Sequence, residues 1–261
     1  MGLHAHRRVD FLGCPIDLYT STDLLTELNA EIVDKAGPCV IHFVNGNKIA
    51  KAHEDVSVRE ILWRGDYVLA DGQPLLPMAR MLGIRIPERI DGIGLMQKLL
   101  ALANKQQYRI YLLGARQEIL ETCLAMIQQR YPNARIAGSR NGYFQQADLP
   151  EIVSQINAVS PDILFIGIGS PTKEQLADQW KTQLHATIIQ GVGGSFDVLA
   201  GLVPRAPLWM QRMGIEWLHR VLQEPRRMFW RYAKTNAQCL WIFACALVRK
   251  RGAIMCWTGD R

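Results

Sequence analysis

The sequence predicts an α/β protein: a Rossmann-like, mainly parallel sheet flanked by helices, with a C-terminal helical appendage. Three observations predict it. Short apolar runs rich in β-branched residues alternate with longer amphipathic segments, the pattern of successive βαβ units. One run, Ile163–Ile168 (ILFIGI), is apolar throughout, as a strand buried on both faces of a parallel sheet is. The composition also changes abruptly after Pro204.

The candidate strands are Cys39–Val44, Tyr67–Ala70, Tyr108–Leu113, Ala134–Ala137, Ile163–Ile168 and Thr187–Gln190. Helix-like stretches lie between them at Asp23–Ala36, Val56–Arg64, Leu95–Lys105, Glu118–Arg130, Pro150–Val159 and Thr172–Leu184. Hydrophobic residues make up 49% of the 261 residues and charged ones 21%, enough apolar content for a packed core and too much for disorder. No repeat of fixed period and no low-complexity tract interrupts the pattern.

The net charge of +6 is unevenly placed. Residues 205–261 hold eleven Lys/Arg against three acidic residues, a surplus of eight, whereas residues 1–204 hold nineteen against twenty-one. Five of the seven tryptophans, Trp209, Trp217, Trp230, Trp241 and Trp257, lie in the same segment. Basic residues and Trp on an apolar background suit a membrane surface. They also suit a solvated helix pair or, less well without a recognisable fold motif, a nucleic acid. Helical spacing is expected over Leu208–Gln223 and again from Met228 to Val248, with Pro225 between them. The chain thus divides into an α/β body over 1–203 and a basic, Trp-rich membrane-association appendage over 204–261.

Six cysteines, none in a C-x-x-C pair, read as reduced thiols of a cytosolic protein. The N-terminus lacks the apolar core of a signal peptide. The longest clean apolar run, Leu240–Val248, has nine residues against the roughly 20 a spanning helix needs. A soluble or peripheral protein is expected.

Ligands of open parallel sheets bind beyond the carboxyl ends of the strands, so chemistry is sought in four loops. In Phe43–Asn47, Asn45 is locally a turn former or helix N-cap, or else an amide facing a ligand. In Ala70-Asp71-Gly72 the Asp-Gly pair is a common turn, yet Asp71 also stands where a general base would. Arg89, just downstream, has the fork that matches phosphate oxygens, or it forms a surface ion pair with Glu88 or Asp91. In Gly167–Glu174, Ser170 suits a helix N-cap and Pro171 the first helical position, a start that favours anions. This loop is neither a dinucleotide fingerprint nor a Walker A loop. In Gly191–Asp197, Gly193 and Gly194 admit close approach of a ligand to backbone, and Asp197 is a ribose or base contact or a helix cap. No His/Cys/carboxylate cluster has metal-site spacing, so no metal or other cofactor is expected, and the absence of a Gly-x-Ser-x-Gly elbow leaves no hydrolase nucleophile.

Six segments occur in an order that resembles one family: VNGNKIAKA, YVLADGQPLLPMARMLG, PERIDGIGL, SRNGYF, IGIGSPTKEQ and GVGGSFDVLAGLVPRAPLWMQRMGIEWLHRVLQEPRR. Over roughly Phe11 to Tyr232 the sequence is similar to the WecB/TagA/CpsF glycosyltransferases, glycosyltransferase family 26. The resemblance implies an inverting, metal-independent enzyme. It would move a hexose or N-acetylhexosamine from a UDP-sugar to an undecaprenyl-diphosphate-linked saccharide, forming a β-linkage, in cell-surface polysaccharide synthesis. It implies Asp71 as general base, Asn45 beside it and Arg89 on the diphosphate. Ser170, Lys173, Gly193 and Gly194 would meet substrate, Asp197 would lie near the nucleoside, and Arg220 and Arg227 would come from the appendage. Two positions depart from the family pattern: Phe43 stands where Thr is usual and Lys173 where Gln is usual. A lysine there suits a phosphate or a substrate carboxylate.

The expected partners are the UDP-sugar, the lipid-linked acceptor and, through the appendage, the cytoplasmic face of the bacterial inner membrane, with no nucleic acid. The apolar tail also suits packing against a second subunit. The rival readings are a non-catalytic nucleotide- or nucleic-acid-binding module and a UDP-sugar 2-epimerase. An oxidative epimerase lacks its dinucleotide fingerprint here, and a non-oxidative one needs no lipid-facing tail.

Overall fold

The computed structural model describes residues 8–204, then 206, 207, 209, 210, 218, 221, 222 and the helix over 225–257, whose side chains are described at 230 and 233–249. The chain opens with a two-stranded antiparallel hairpin, β1 (Arg8–Phe11) and β2 (Cys14–Asp17). Its turn has positive φ at both Leu12 (56°) and Gly13 (81°), the twist that suits a two-residue hairpin.

The body alternates helix and strand: α1 (Ser21–Asp34), β3 (Cys39–Val44), α2 (Gly46–Glu54), α3 (Val56–Arg64), β4 (Tyr67–Ala70), α4 (Leu75–Met81), α5 (Gly92–Gln106) and β5 (Arg109–Gly114). There follow α6 (Gln117–Arg130), β6 (Arg135–Arg140), α7 (Leu149–Val159), β7 (Ile163–Gly167), α8 (Thr172–Trp180), β8 (Ile188–Gly191) and the short α9 (Ser195–Leu199). A long helix, α10 (Pro225–Trp257), ends the described chain.

Six strands form one parallel sheet in the order β4-β3-β8-β7-β5-β6. One face is covered by α1, α5 and α6, whose Leu24, Leu28, Leu99, Ala103, Leu120 and Ile127 pack on Ile41, Tyr67, Ile110 and Ile163. The other face is shared. Helices α7 and α8 cover Val40, Leu164 and Ile189, while the hairpin, α2, α4 and α10 cover Val44, Val68 and Ala70. This double coverage is why the strands read as continuous apolar runs.

The expected α/β architecture is therefore present, with all six strands at their expected places and ends shifted by a residue or so, except β6, which runs to Arg140. Five elements were not expected, each for a physical reason. β1 and β2 have four residues each, too few to show a period. In α2 the buried face includes Lys48, which breaks the apolar stripe. α4 contains Pro77, which suggests a break, yet Pro77 is its third residue, where the missing N–H had no intrahelical partner anyway. α9 has only five residues. Helix α10 spans Pro225–Trp257, longer than the expected Met228–Val248, and most of the helix expected over 208–223 lies outside the described residues.

At their carboxyl ends β5 and β7 press together as bare backbone. Gly114 has φ 139°, and a Cβ there would stand 2.5 Å from the carbonyl of Gly167. Gly114→Ala is therefore expected to destabilise the fold by about 2 kcal/mol or more, through strain and overlap together. The urea-unfolding midpoint measures it; a shift worth less than about 0.5 kcal/mol would mean that the two strand ends do not touch in this way.

Candidate functional site

The strand order brings the ends of β4, β3, β8 and β7 side by side, and the chain crosses from one half of the sheet to the other between β3 and β8. Such a crevice is where open α/β sheets bind ligands. Asp71 follows β4 directly, its N–H donating to the Val44 carbonyl at 2.8 Å. A Cβ at Gly72 would stand 3.0 Å from the Leu75 side chain and 3.7 Å from the Asn45 Cα, so this turn lies beside the next loop.

Arg89 reaches Asp71 from an extended segment along the edge of β4. Its Nη2 lies 3.7 Å from Asp71 Oδ1 and 4.0 Å from Asp91 Oδ2, and its Nε donates to the Asp71 carbonyl at 3.4 Å. Neighbours on both sides fix that segment. Glu88 accepts from the Ser21 N–H and hydroxyl, both at 2.6 Å, Ile90 N–H donates to the Ala70 carbonyl, and Asp91 accepts from Gly94 N–H at the start of α5. Glu88 thus serves α1, and Arg89 is left to Asp71 and Asp91.

Asn45 caps α2, its Oδ1 accepting from Lys48 N–H at 3.0 Å. Ser170 differs from expectation. Pro171 is the N-cap of α8 and the helix starts at Thr172, with no side-chain cap. The Ser170 hydroxyl accepts instead from the Lys48 ammonium at 2.7 Å, which leaves it no role at the helix start. Lys173 Nζ donates to the Gly191 carbonyl at 3.3 Å and lies 3.7 Å from Glu174 Oε1. Gly193, with φ 55°, arches over that ammonium; a Cβ at Gly193 would stand 3.6 Å from it. Asp197 sits half-buried in α9, its Oδ2 3.6 Å from where a Gly194 Cβ would be. Arg220 lies outside the described residues, and so does the side chain of Arg227, whose backbone is in α10. Phe43 packs its ring against Gly92 at the start of α5 and belongs to the main core.

Beneath these loops is a group that sequence reasoning missed. Lys48 and Glu174 form an ion pair at 2.7 Å, with side chains only 7% and 6% exposed. Burial pushes the Lys48 ammonium below its usual range against the pull of Glu174. Burial pushes Glu174 upward, but the Lys173 and Lys48 ammoniums outweigh it and hold the carboxyl below its usual range. His42 points to the same side of the sheet, and burial takes its pKa down to about 4. Gln190, fully buried on β8, donates to the Gly92 carbonyl at 2.7 Å and so fixes the start of α5. The only sequence signal for this group was a polar residue at each strand's or helix's core-facing position.

Helix α10 leans on α2 beside the site. Cys239 Sγ lies 3.5 Å and Asn236 Oδ1 3.8 Å from the Cβ position of Gly46, and Gln238 donates to Glu54 at 2.6 Å. Cys239 and Phe243 are buried against β1, β2 and α4, while Trp230, Leu240, Trp241 and Val248 are exposed on the same helix. Among the described residues no helix is long and apolar enough to cross a membrane.

The sequence matches the family model of the glycosyl transferase WecG/TagA/CpsF family over residues 9–253. It is 33% identical over 206 residues to a Bacillus subtilis (strain 168) protein, covering 79% of this chain and 80% of that one. That protein is named N-acetylglucosaminyldiphosphoundecaprenol N-acetyl-beta-D-mannosaminyltransferase. It is 30% identical over 222 residues to the protein of the same name from Staphylococcus aureus (strain MW2), covering 85% and 87%.

The His42 shift has a consequence for acid stability. Unfolded, its imidazole titrates near 6.5, whereas folded it stays neutral down to about 4. Between those values the unfolded chain binds more protons, so His42 contributes stability that is lost as pH falls through that window. Comparing urea unfolding at pH 7 and pH 5, the wild type should lose stability with a slope about one proton steeper than His42→Gln. Parallel profiles would show that His42 titrates normally in the folded protein.

Proposed function

This chain belongs to the glycosyl transferase WecG/TagA/CpsF family, and from that premise we propose that it is an inverting, metal-independent transferase acting at the strand-end crevice. The donor is a UDP-sugar and the acceptor an undecaprenyl-diphosphate-linked saccharide, as the names of its relatives suggest for the acceptor. The observation that carries the reading is the Asp71–Arg89 pair at the end of β4, beside Asn45, on a chain of this family.

Inverting transfer is one in-line displacement at the anomeric carbon. The acceptor hydroxyl attacks as it gives its proton to Asp71, and UDP leaves with its bonding electron pair. Asp71 suits the base because its carboxylate is anchored to a strand end and partly open to the crevice. Arg89, held beside it, suits the growing charge on the diphosphate. Ser170, Lys173, Gly193 and Gly194 line the donor side, and Asp197 the nucleoside end. Arg220 and Arg227 are proposed to reach the site from the appendage.

The division at 203/204 belongs to the same reading: the body carries the chemistry and the appendage the membrane contact. The apolar face of α10 suits a peripheral position at the lipid surface, with Trp230 and Trp241 about three-quarters exposed and Arg249 at the same end as Val248.

Two measurements test this. UDP release with a panel of UDP-sugars and a short-chain lipid-diphosphate-saccharide acceptor should depend on acceptor and fall about 10²–10⁴-fold in Asp71→Asn. Unchanged release by that variant would move the base elsewhere. For the appendage, Leu240→Ser with Trp241→Ser should reduce co-sedimentation with phosphatidylglycerol-containing vesicles about tenfold or more, since two large apolar side chains are lost from the contact. Equal binding by the variant would remove this face from the lipid contact. Loss of a dimer instead, seen by sedimentation, would give the face to a second subunit.

A further inference from the structure

Two lysines share one carboxylate at the floor of the crevice. Lys48 Nζ lies 2.7 Å from Glu174 Oε1 and Lys173 Nζ lies 3.7 Å from the same oxygen. The shorter contact makes Lys48 and Glu174 a buried ion pair, and the Ser170 hydroxyl accepts a further bond from the Lys48 ammonium. Among the described residues the group then holds two ammoniums against one carboxylate, a surplus of one positive charge. His42, which faces this group, does not cancel it, because burial keeps the imidazole neutral at pH 7. The other carboxylate that His42 feels, Asp178, is held by Arg64 in a two-point contact at 3.0 and 2.9 Å.

A cation in excess of the neighbouring carboxylate costs stability in a largely buried place. Holding the Gly191 carbonyl needs only a neutral donor. The Lys173 side chain is 17% exposed, and the bare Gly193 turn lies beside its ammonium. A side chain at Gly193 would close over the ammonium, 3.6 Å away. A charged group under a glycine arch suits a ligand anion that approaches backbone and ammonium together.

We propose that Lys173, seated on the Lys48–Glu174 pair and open beneath Gly193, is an oxyanion subsite that binds a negatively charged group of the donor and so helps select it. The proposal rests on the UDP-sugar reading of the crevice. Two parts of a donor offer this chemistry: the diphosphate, common to all UDP-sugars, and a sugar carboxylate, present only in uronic acids. Lys173 acts by direct contact. Lys48 and Glu174 are positioning residues, which hold α8 and hence Lys173 in place.

The test is calorimetric titration of the full chain, wild type, Lys173→Gln and Lys173→Arg, with pyrophosphate, UDP, UDP-glucose and UDP-glucuronate at low and high salt. Thermal melting of each variant shows whether the fold is kept. Binding of at least one ligand should weaken about tenfold or more in Lys173→Gln, with the difference shrinking at high salt and largely restored by Lys173→Arg. Equal weakening for pyrophosphate, UDP and both sugars assigns the oxyanion to the diphosphate. Weakening confined to UDP-glucuronate assigns it to the sugar carboxylate. Pyrophosphate binding that needs Lys173, with no binding of any UDP ligand, would keep the subsite and sink the donor reading. Affinities unchanged in a folded Lys173→Gln, or a wild type that binds none of the four, would overturn the proposal.

Discussion

The buried ion pair between Lys48 and Glu174 is the joint on which the strand-end loops depend. Lys48 belongs to α2, which follows β3, and Glu174 to α8, which follows β7. β8 lies between those strands, so the pair reaches across the end of a strand. Charges buried this deeply are tolerated only when partnered, here Lys48 by Glu174 and the Ser170 hydroxyl, and Glu174 by Lys48 with Lys173 beside it. The two helix starts are thereby set relative to one another. Asn45, which caps α2, and Lys173, which precedes Glu174, inherit that setting. So does α10, which rests on Gly46 at the first residue of α2.

Elsewhere the crevice walls are fixed by the absence of side chains. Gly167 has Phe196 where its own Cβ would be, and the loops after β5, β6 and β7 meet through Gly114, Gly142 and Gly167. Phe196 is fully buried and its carbonyl accepts from the Cys123 thiol, so this wall is anchored to α6. On the opposite side the segment carrying Arg89 is held by bonds from the residues before and after it. Both walls are thus tied to the body through their own backbone and neighbouring side chains.

The appendage helix has two unlike faces. Cys239 and Phe243 sit in the same apolar cluster as β1, β2 and α4, so α10 is packed onto the body and is not merely tethered to it. Trp230, Leu240, Trp241 and Val248 face away. Whatever covers that outer face is therefore held at a set angle to the crevice, because Gly46 lies under one face and adjoins Asn45.

The sequence by itself determined the six parallel strands, because a strand buried on both sides must be apolar along its whole length and shows it. It also marked the four strand-end loops, the surplus of basic residues and Trp after Pro204, and, through motif order, the family. It did not show the Lys48–Glu174–Lys173 group. Lys48 and Glu174 are 126 positions apart in the chain, and only the strand order puts them in contact. Ser170 looked like a helix cap because its neighbours in the chain suit one, and tertiary structure gave its hydroxyl to Lys48 instead. Arg89 was legible as a cation near carboxylates, but its choice among Glu88, Asp91 and Asp71 was decided by Ser21, which takes Glu88. Local propensity and apolar period travel along the chain and can be read there, whereas the pairing of buried charges depends on which strands become neighbours, and that is a property of the folded sheet alone.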